Sequence, residues 1–388
     1  MGRVCAIVPT FNRASYLTVA LASIMRQSCP VDEIIVVNDG STDNTLQVLA
    51  AYEGKVSVYT QKNAGKAAAM NLGLSKATAD YIWFCDDDDL AADDGLAPLV
   101  DALDSDPDLD FVYGSHQEFA DDRVNERRMP DFWGLPRPDQ PLLNIIGNLY
   151  PYQGATLVRR RLFDQIGNFN TDFARCQDVE MMIRMALHGK SIFVPHIVFY
   201  QRGHSGARYV FGRGPVTATE AITRAVIFDQ KALLLHQHEL TLDRVTPIFA
   251  QDLPEDIRRR SAHLHRSSMF ARRAMWPQAI DDLEAAIRAS STPALPKDLE
   301  RLAFCVVNPQ MCDLLRADAV SMKRLRQLYT GSTLGKAIVA AMLRPMPWHI
   351  RTGFISGRMS AGWSRVALAS SILGVNGLMS LVIDKKLN

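Results

Sequence analysis

The chain has 388 residues, enough for one large domain with its own core and an appended unit. Hydrophobic residues make up 47% of it and charged residues 22%, as in ordinary folded proteins, and the net charge of +1 argues against nucleic-acid binding. The six cysteines are scattered without short paired spacings, which disfavours a disulfide framework and a zinc site and indicates reduced thiols in the cytoplasm.

The first 113 residues alternate short apolar runs with helical patterns. Strands are predicted at 4–8, 33–37, 56–59, 81–85 and 110–113, and helices at 14–27, 44–52, 66–76 and 94–103. Such alternation indicates right-handed βαβ units, and strands that are apolar throughout indicate a sheet covered by helices on both faces. The sequence therefore predicts an α/β fold with a mostly parallel sheet.

The pattern becomes less regular after residue 113. The segment 120–149 is rich in Pro, Asp, Arg and Asn and is predicted to form loops. The elements predicted next are strands at 155–158 and 192–200 and helices at 161–166 and 179–188. Beyond Pro215 helical patterns dominate. The predicted parts of the chain are an α/β domain at 1–215, a helical region at 216–322 and a basic helical or amphipathic tail at 323–388.

Polar side chains follow each of the first four predicted strands. In a doubly wound sheet, ligands bind beyond the carboxyl ends of the strands, and all four loops leave the sheet at that edge. One polar loop would indicate little, but four at one edge predict a ligand site. The candidate residues are Pro9, Thr10, Asn12 and Arg13 after the first strand, Asp39 after the second, Asn63 and Lys66 after the third, and Asp86, Asp87, Asp88 and Asp89 after the fourth.

The four consecutive aspartates at 86–89 predict a metal site. Adjacent carboxylates after an apolar strand repel one another, and a hard divalent cation such as Mg²⁺ or Mn²⁺ relieves that repulsion. Because side chains alternate along a strand, Asp86 and Asp88 are expected to point the same way, and Asp87 and Asp89 the other. The alternative is a solvated loop whose acids cap the helix that follows.

Asp39 and Lys66 suit a nucleotide. Asp39 ends an apolar strand, where its carboxylate could accept a hydrogen bond from a ring imide such as N3–H of uracil. The alternative is local capping, for which Asn38, Ser41 and Asp43 are better placed. Lys66 opens a helix and could meet a diphosphate, although a lone lysine there is more often solvated.

Together these motifs resemble the family 2 glycosyltransferases of the GT-A fold. The resemblance rests on PTFNR at 9–13, VNDGSTD at 37–43, the spacing of Asn63, Gly65, Asn71 and Gly73, and YIWFCDDDD at 81–89, where the family has a D-x-D motif. Farther along, IGNF at 166–169, CQDVE at 176–180 with Arg184, and YQRGH at 200–204 resemble the acceptor-side region and the end of the catalytic domain. It spans roughly residues 3–206 and implies that 1–215 is that domain.

The resemblance implies an inverting glycosyltransferase that moves a sugar from a nucleotide-sugar donor, UDP- or dTDP-linked, to an acceptor hydroxyl. It implies a base contact from Asp39, a D-x-D pair of Asp86 and Asp88 with Asp88 as the direct metal ligand, and Asp178 as catalytic base. His204 is a further candidate metal ligand and Arg202 a candidate phosphate contact. Each has an alternative: Asp178 suits a helix N-terminus, and an isolated His is more often structural.

Three positions depart from the family pattern. Asn38 stands where an Asp is usual and Phe11 where many members have Tyr. Gln177 stands where a Glu is usual, which removes a charge beside Asp178, so any tuning of the pKa of Asp178 has to come from burial.

Two other classes of protein remain open on sequence grounds. A sugar-phosphate nucleotidyltransferase also combines a nucleotide-binding α/β domain with acidic metal ligands, but it would need a Gly-rich basic loop where this chain has PTFNR. A non-catalytic scaffold or carbohydrate-binding protein could keep the fold, and Gln177 is compatible with it.

The last 66 residues form a basic tail. From residue 323 onward there are ten Lys or Arg and one acid, Asp384, a net charge of +9. An amphipathic helix is predicted at 366–383 because its apolar residues follow helical spacing: Leu368, Ile372, Val375, Met379 and Val382. Such a segment suits peripheral attachment to the cytoplasmic face of an anionic membrane, with a lipid-linked or saccharide acceptor in cell-surface polysaccharide or glycolipid synthesis. The alternative is a helix that packs on the catalytic domain.

Overall fold

The computed structural model describes residues 2–120, 123–128, 142–147, 152–203, 208–209, 215–216, 218–303, 305, 309–355, 357 and 359–383. The chain divides into two compact units, Met1–His236 and Gln237–Asn388. The first contains the sheet and the second is helical. His204 lies outside the described residues.

The first unit contains a nine-stranded sheet among its described residues. Its strand order is β3-β2-β1-β4-β8-β6-β9-β5, with β7 paired to β6 beside this path. The first four strands pair in parallel, and antiparallel pairs join β8 to both β4 and β6. The predicted α/β architecture is confirmed. The strands are β1 (Val4–Thr10), β2 (Glu33–Asn38), β3 (Ser57–Thr60), β4 (Tyr81–Phe84), β5 (Leu90–Ala91), β6 (Phe111–Ala120), β7 (Arg123–Arg128), β8 (Thr156–Arg159), β9 (Ser191–Gly203), and the separate pair β10 (Arg208–Tyr209) and β11 (Pro215–Val216).

Helices cover both faces of the sheet. Alternate residues of β1 enter two different cores: Val4, Ala6 and Val8 pack in one, Cys5 and Ile7 in the other. Burial on both faces is the reason why this strand is apolar throughout. The helices of this unit are α1 (Ala14–Met25), α2 (Thr45–Ala50), α3 (Lys66–Lys76), α4 (Ala97–Ser105), α5 (Arg160–Ile166), α6 (Gln177–His188) and α7 (Ala218–His236).

The close packing of α3 on the sheet requires a glycine. A Cβ on Gly73 would lie 2.4 Å from Cγ2 of Ile7 in β1, a distance that real Cβ atoms do not show. The small residue lets the helix lie directly on the strand. Lys66, at the first turn of α3, is thereby fixed near the carboxyl edge of β1.

The prediction that 120–149 forms loops is wrong in part. β6 runs on to Ala120, and β7 pairs with it in antiparallel register. β7 reads RVNERR, so no apolar run marks it. A strand with a single described neighbour can carry polar side chains, which is why a search for apolar runs missed it.

The regular elements described in the second unit are all helices, as the sequence predicts. The tail helix is longer than predicted, Met359–Ile383 against 366–383, and it bends at Gly374, where φ is +72°. No helix among the described residues is both long and apolar enough to cross a bilayer. The helices are α8 (Leu242–Val245), α9 (Glu255–Ala271), α10 (Trp276–Ala289), α11 (Pro296–Leu302), α12 (Pro309–Ala317), α13 (Ala319–Gly331), α14 (Thr333–Leu343), α15 (Met346–Ile355) and α16 (Met359–Ile383).

Candidate functional site

The four aspartates form a tight acidic turn between β4 and β5. We use "acidic turn" for residues 86–89. Carboxylate oxygens of Asp86, Asp88 and Asp89 lie within 4.8 Å of one another, a spacing that one divalent cation could bridge. The expected alternation, with Asp89 on the side of Asp87, is wrong because β4 ends at Phe84 and the chain then turns. Asp89, which the sequence analysis expected to point away from Asp86 and Asp88, is therefore a further candidate ligand.

Arg13 and Lys66 contact carboxylates of the acidic turn. The Arg13 guanidinium donates from Nη1 to Oδ2 of Asp88 and lies 3.4 Å from Oδ1 of Asp87. Lys66 Nζ lies 2.6 Å from Oδ1 of Asp86. The two cations offset part of the charge repulsion between the carboxylates of the turn. These ion pairs connect the loops after β1 and β3 to the loop after β4.

Burial perturbs the ionisation of the turn. Asp87 and Asp89 are only 6% and 3% exposed. Burial raises the pKa of Asp87 to about 7, although the Arg13 guanidinium opposes that rise. Burial also raises the pKa of Asp89 well above its ordinary value, with the neighbouring carboxylates adding to it. These costs are the ones that a bound cation would relieve.

Tyr152 and Arg202 donate further hydrogen bonds to the acidic turn. The Tyr152 hydroxyl donates to Oδ2 of Asp89. The backbone N–H of Arg202 donates to Oδ1 of Asp89 at 2.7 Å, and its Nε donates to the carbonyl of Asp88 at 2.6 Å. The Arg202 guanidinium also lies over the rings of Tyr16 and Phe119, at 4.9 and 4.6 Å. Arg202 therefore braces the acidic turn in this structure, and Tyr152 is a site residue that the sequence analysis missed.

Asp39 organises the loop after β3. Its carboxylate accepts hydrogen bonds from Gln61 Nε2 at 2.7 Å and from the backbone N–H groups of Ala64 and Gly65 at 2.9 and 2.8 Å. It is 4% exposed. Three donors leave a carboxylate with room for one further hydrogen bond. Near it, Oδ1 of Asn63 is buried without a hydrogen-bond partner among the described residues.

The loop after β1 is tied to the loop after β2. Asn12, which has a φ of +54°, accepts at Oδ1 from the backbone N–H of Thr42 at 2.7 Å. Its own N–H donates to the Ser41 hydroxyl at 3.0 Å. Pro9 and Thr10 end the buried strand β1. Asn12 thus has a structural role in this loop pair, and Arg13 is the side chain of the loop that reaches the acidic turn.

The capping expected of Asn38 and Asp43 is present. Asn38 accepts at Oδ1 from the N–H of Ser41 at 2.9 Å. Asp43 accepts from the N–H of Ala14, at the start of α1, at 3.2 Å and from the N–H of Thr45 at 3.0 Å. Local capping is therefore carried by these neighbours and not by Asp39.

Asp178 lies in the first turn of α6, in the electrostatic environment of Lys66 and Asp86. Its Oδ1 accepts from the N–H of Val179 at 2.9 Å. Burial raises the pKa of Asp178, Lys66 opposes the rise, and Asp86 adds to it. Apolar side chains, among them Phe84 and Met181, line a small cavity with Asp178. Cys176 takes the N-cap position of α6 and makes no side-chain cap hydrogen bond, so the N-cap alternative for Asp178 is wrong, and Asp178 is a buried carboxylate of the first turn with an elevated pKa.

Hydrogen bonds fix α6 relative to its neighbours. Glu180, 2% exposed, pairs with Nη2 of Arg184 at 2.7 Å and with Nε2 of His236 at 3.0 Å. Arg184 also donates to the carbonyl of Asn168 at 2.8 Å. Because of this network, Glu180 and Arg184 serve to position the helix that carries Asp178.

The amino-acid sequence matches known glycosyl transferases over its first half. The profile of the family described as "Glycosyl transferase family 2" matches residues 5–167. The glycosyltransferase GlyG of Streptococcus pneumoniae serotype 4 is 32% identical over 219 residues, which are 53% of this chain and 72% of GlyG. The glycosyltransferase RC0461 of Rickettsia conorii, described as uncharacterized, is 28% identical over 208 residues. That match takes in 52% of this chain and only 34% of RC0461.

Solved structures show the same fold. TarS 1–349 of S. aureus has a TM-score of 0.50 to this chain at 19% identity, and the match covers 92% of both chains. The same protein in complex with UDP has a TM-score of 0.50 at 18% identity. This likeness confirms the predicted fold. The sequence matches, for their part, show that the chain belongs to glycosyl transferase family 2.

Proposed function

We propose that the protein transfers a sugar from a nucleotide-sugar donor to an acceptor hydroxyl. The observation that carries this proposal is the convergence, at one edge of the sheet, of the acidic turn, Lys66 and Asp178. Lys66 lies against Asp86 and also influences the pKa of Asp178. A leaving diphosphate and an attacking hydroxyl require such a pairing of positive charge with a separate carboxylate.

The donor is proposed to lie across the first three loops. Asp39 receives the base through a ring imide, which uracil and thymine both present, so a UDP- or dTDP-sugar is the favoured donor. Asn63, whose Oδ1 is buried without a hydrogen-bond partner among the described residues, directly precedes Ala64, which donates to Asp39. Pro9, Thr10 and Asn12 form the wall after β1. Lys66 and Arg13 contact the diphosphate, with Asp87 and Arg202 nearby. The solved complex of TarS with UDP supports a uridine nucleotide.

A divalent cation, Mn²⁺ or Mg²⁺, fits the acidic turn. The donors are all carboxylate oxygens, the preferred ligands of hard cations, and the spacing of Asp86, Asp88 and Asp89 permits joint coordination. When bound, the cation would neutralise charge on the departing diphosphate. Asp88 and Asp86 are the proposed ligands, Asp89 a further one, and His204 remains a proposal from the sequence.

Asp178 is proposed as the general base. Its raised pKa brings the carboxylate closer to the proton affinity of an acceptor hydroxyl in the transition state. It accepts the proton as the hydroxyl attacks the anomeric carbon and the bond to the diphosphate breaks. A single displacement of this kind inverts the anomeric centre.

The acceptor is proposed to be a saccharide or a lipid-linked sugar in cell-surface polysaccharide or glycolipid synthesis. The basic tail at 323–388, with a net charge of +9, favours peripheral attachment on the cytoplasmic face of a membrane. We retain 1–215 as the catalytic part and 216–322 as a helical region between it and the tail.

Nucleoside diphosphate release tests the reaction. A panel of UDP- and dTDP-sugars is incubated with Mn²⁺, with and without a chelator and with acceptor lysates. We expect release from at least one donor, loss of release with the chelator, and a fall of about 10²–10⁴-fold in the Asp178→Asn variant. The Asp164→Asn variant, altered on α5, is the matched control. Release of pyrophosphate would favour the nucleotidyltransferase, and no release from any donor would favour the scaffold.

A further inference from the structure

Two residues of the apolar stripe predicted for the tail helix are buried in the second unit. Leu368 and Ile372 are 0% and 2% exposed. α16 packs against α12, α13 and α15. If the tail attaches to a membrane, residues other than these have to make the apolar contact.

Four large apolar side chains are exposed on the hairpin that α15 forms with the start of α16. Trp348 is 57% exposed, Ile355 74%, Met359 52% and Trp363 60%. Single exposed apolar residues are ordinary, but two tryptophans and two aliphatic side chains within sixteen residues of one hairpin are not. We call these four side chains the hairpin surface.

Close packing between α15 and α16 holds the side chains of the hairpin surface in place. A Cβ on Gly353 would lie 3.1 Å from the backbone nitrogen of Gly362, so the two helices approach closely at this glycine pair. The rings of Phe354 and Trp363 meet edge to face with centroids 5.5 Å apart. Trp363 therefore has one side against α15 and most of its surface in solvent, and burying that remainder would cost little conformational entropy.

The hairpin segment itself carries only positive charges, although Asp313 of α12 accepts a hydrogen bond from Ser364 beside Trp363. The segment 333–383 contains five Lys or Arg and no Asp or Glu. Two of those cations, Arg344 and Arg351, are exposed beside the hairpin surface. Tryptophan rings favour the boundary between headgroups and acyl chains, and nearby cations attract anionic headgroups. A second copy of this positively charged surface would repel the first, which disfavours self-association through it.

We propose that the hairpin surface docks on an anionic lipid bilayer by inserting Trp348, Ile355, Met359 and Trp363 among the headgroups, with Arg351 over the lipid phosphates. This inference rests on the proposed membrane attachment and names its contact surface. It does not depend on the donor chemistry, because binding to lipid can be measured without turnover.

Vesicle binding by the full-length protein tests this inference. Sedimentation is measured with vesicles of phosphatidylglycerol and phosphatidylcholine mixed, and with phosphatidylcholine alone. We expect binding to the anionic vesicles with a blue shift of tryptophan emission. The double variant Trp348→Ser/Trp363→Ser should bind at least about tenfold more weakly. Arg351→Gln should bind about fivefold more weakly. The matched control is Val320→Ser on α13, a residue that is 69% exposed in the same unit.

Each other outcome has a distinct meaning. Equal binding by the wild type and the double tryptophan variant would overturn the hairpin surface and leave membrane attachment standing. No binding of the wild type to either vesicle would overturn both. Wild-type dimers that become monomers in the double variant, without vesicle binding, would show that a second copy covers this surface. Circular dichroism of every variant verifies that it is folded.

Discussion

Each carboxylate of the acidic turn meets a specific neighbour from a distant part of the chain. Arg13 comes from the loop after β1, Lys66 from the start of α3, and Tyr152 from the segment before β8. Opposite charges and a hydroxyl donor make a dense group of acids tolerable in a buried position. A bound cation would compete with Arg13, Lys66 and Tyr152 for these carboxylate oxygens.

Arg13 should lower the affinity of the acidic turn for metal, because its guanidinium contacts Asp88, the proposed direct ligand. We expect Arg13→Gln to bind Mn²⁺ about fivefold more tightly in the absence of donor, the size of a partly exposed ion pair. Titration calorimetry measures this affinity. Arg26→Gln, which removes an exposed cation paired with Asp93, is the control. Weaker Mn²⁺ binding in Arg13→Gln would mean that the arginine supports the site instead.

At the scale of elements, α3 and α6 bring Lys66 and Asp178 to the same edge of the sheet. Asn71 of α3 links them indirectly. Its side chain donates to the carbonyl of Phe169 and accepts from the Phe169 N–H, both at 2.9 Å. Phe169 belongs to the segment whose neighbouring carbonyls receive Arg184 of α6. The spacing of Asn71 and Gly73 in the sequence is thus explained by packing.

Replacing Asn71 by Ala should loosen this link. Two hydrogen bonds to backbone are lost at a half-buried position, so we expect the free energy of unfolding to fall by about 1–3 kcal/mol. Nucleoside diphosphate release should fall as well, because Lys66 and Asp178 are then less firmly placed. Ser75→Ala on the same helix is the control, since its hydroxyl donates to the Leu72 carbonyl within the helix. Unchanged stability and release would show that Asn71 is dispensable. Urea titration supplies the stability.

At the scale of the whole molecule, buried histidines make the fold sensitive to acid. Burial lowers the pKa of His265 to about 3, and Arg301 contributes to that decrease. Burial also lowers the pKa of His116 to about 4. An unfolded chain protonates its histidines near pH 6.5, before the folded chain does, so stability is complete above that pH and is lost as the pH falls.

For His265 alone, this difference amounts to about 2 kcal/mol of lost stability between pH 7 and pH 5. Between pH 7 and pH 5, the free energy of unfolding of the His265→Gln variant should therefore fall by about 2 kcal/mol less than that of the wild type. This expectation does not depend on the variant's stability at pH 7. Urea titrations at both pH values measure the difference. The exposed His238→Gln variant should follow the wild type. Identical pH dependence in His265→Gln would contradict the assignment.

The amino-acid pattern alone predicts the α/β fold, the first four strands and the loops that meet at their carboxyl edge, because strands buried on both faces must be apolar and the polar residues that end them then stand out. Arg13, Lys66 and Asp86 were found in this way. Only the tertiary structure brought in Tyr152, which lies 63 residues from Asp89 in a stretch without periodicity. It also decided which carboxylates share a site and which apolar residues of the tail are exposed. The grouping of the carboxylates and the exposure of the tail residues both depend on where the chain turns and which elements pack together. A local sequence pattern contains neither kind of information.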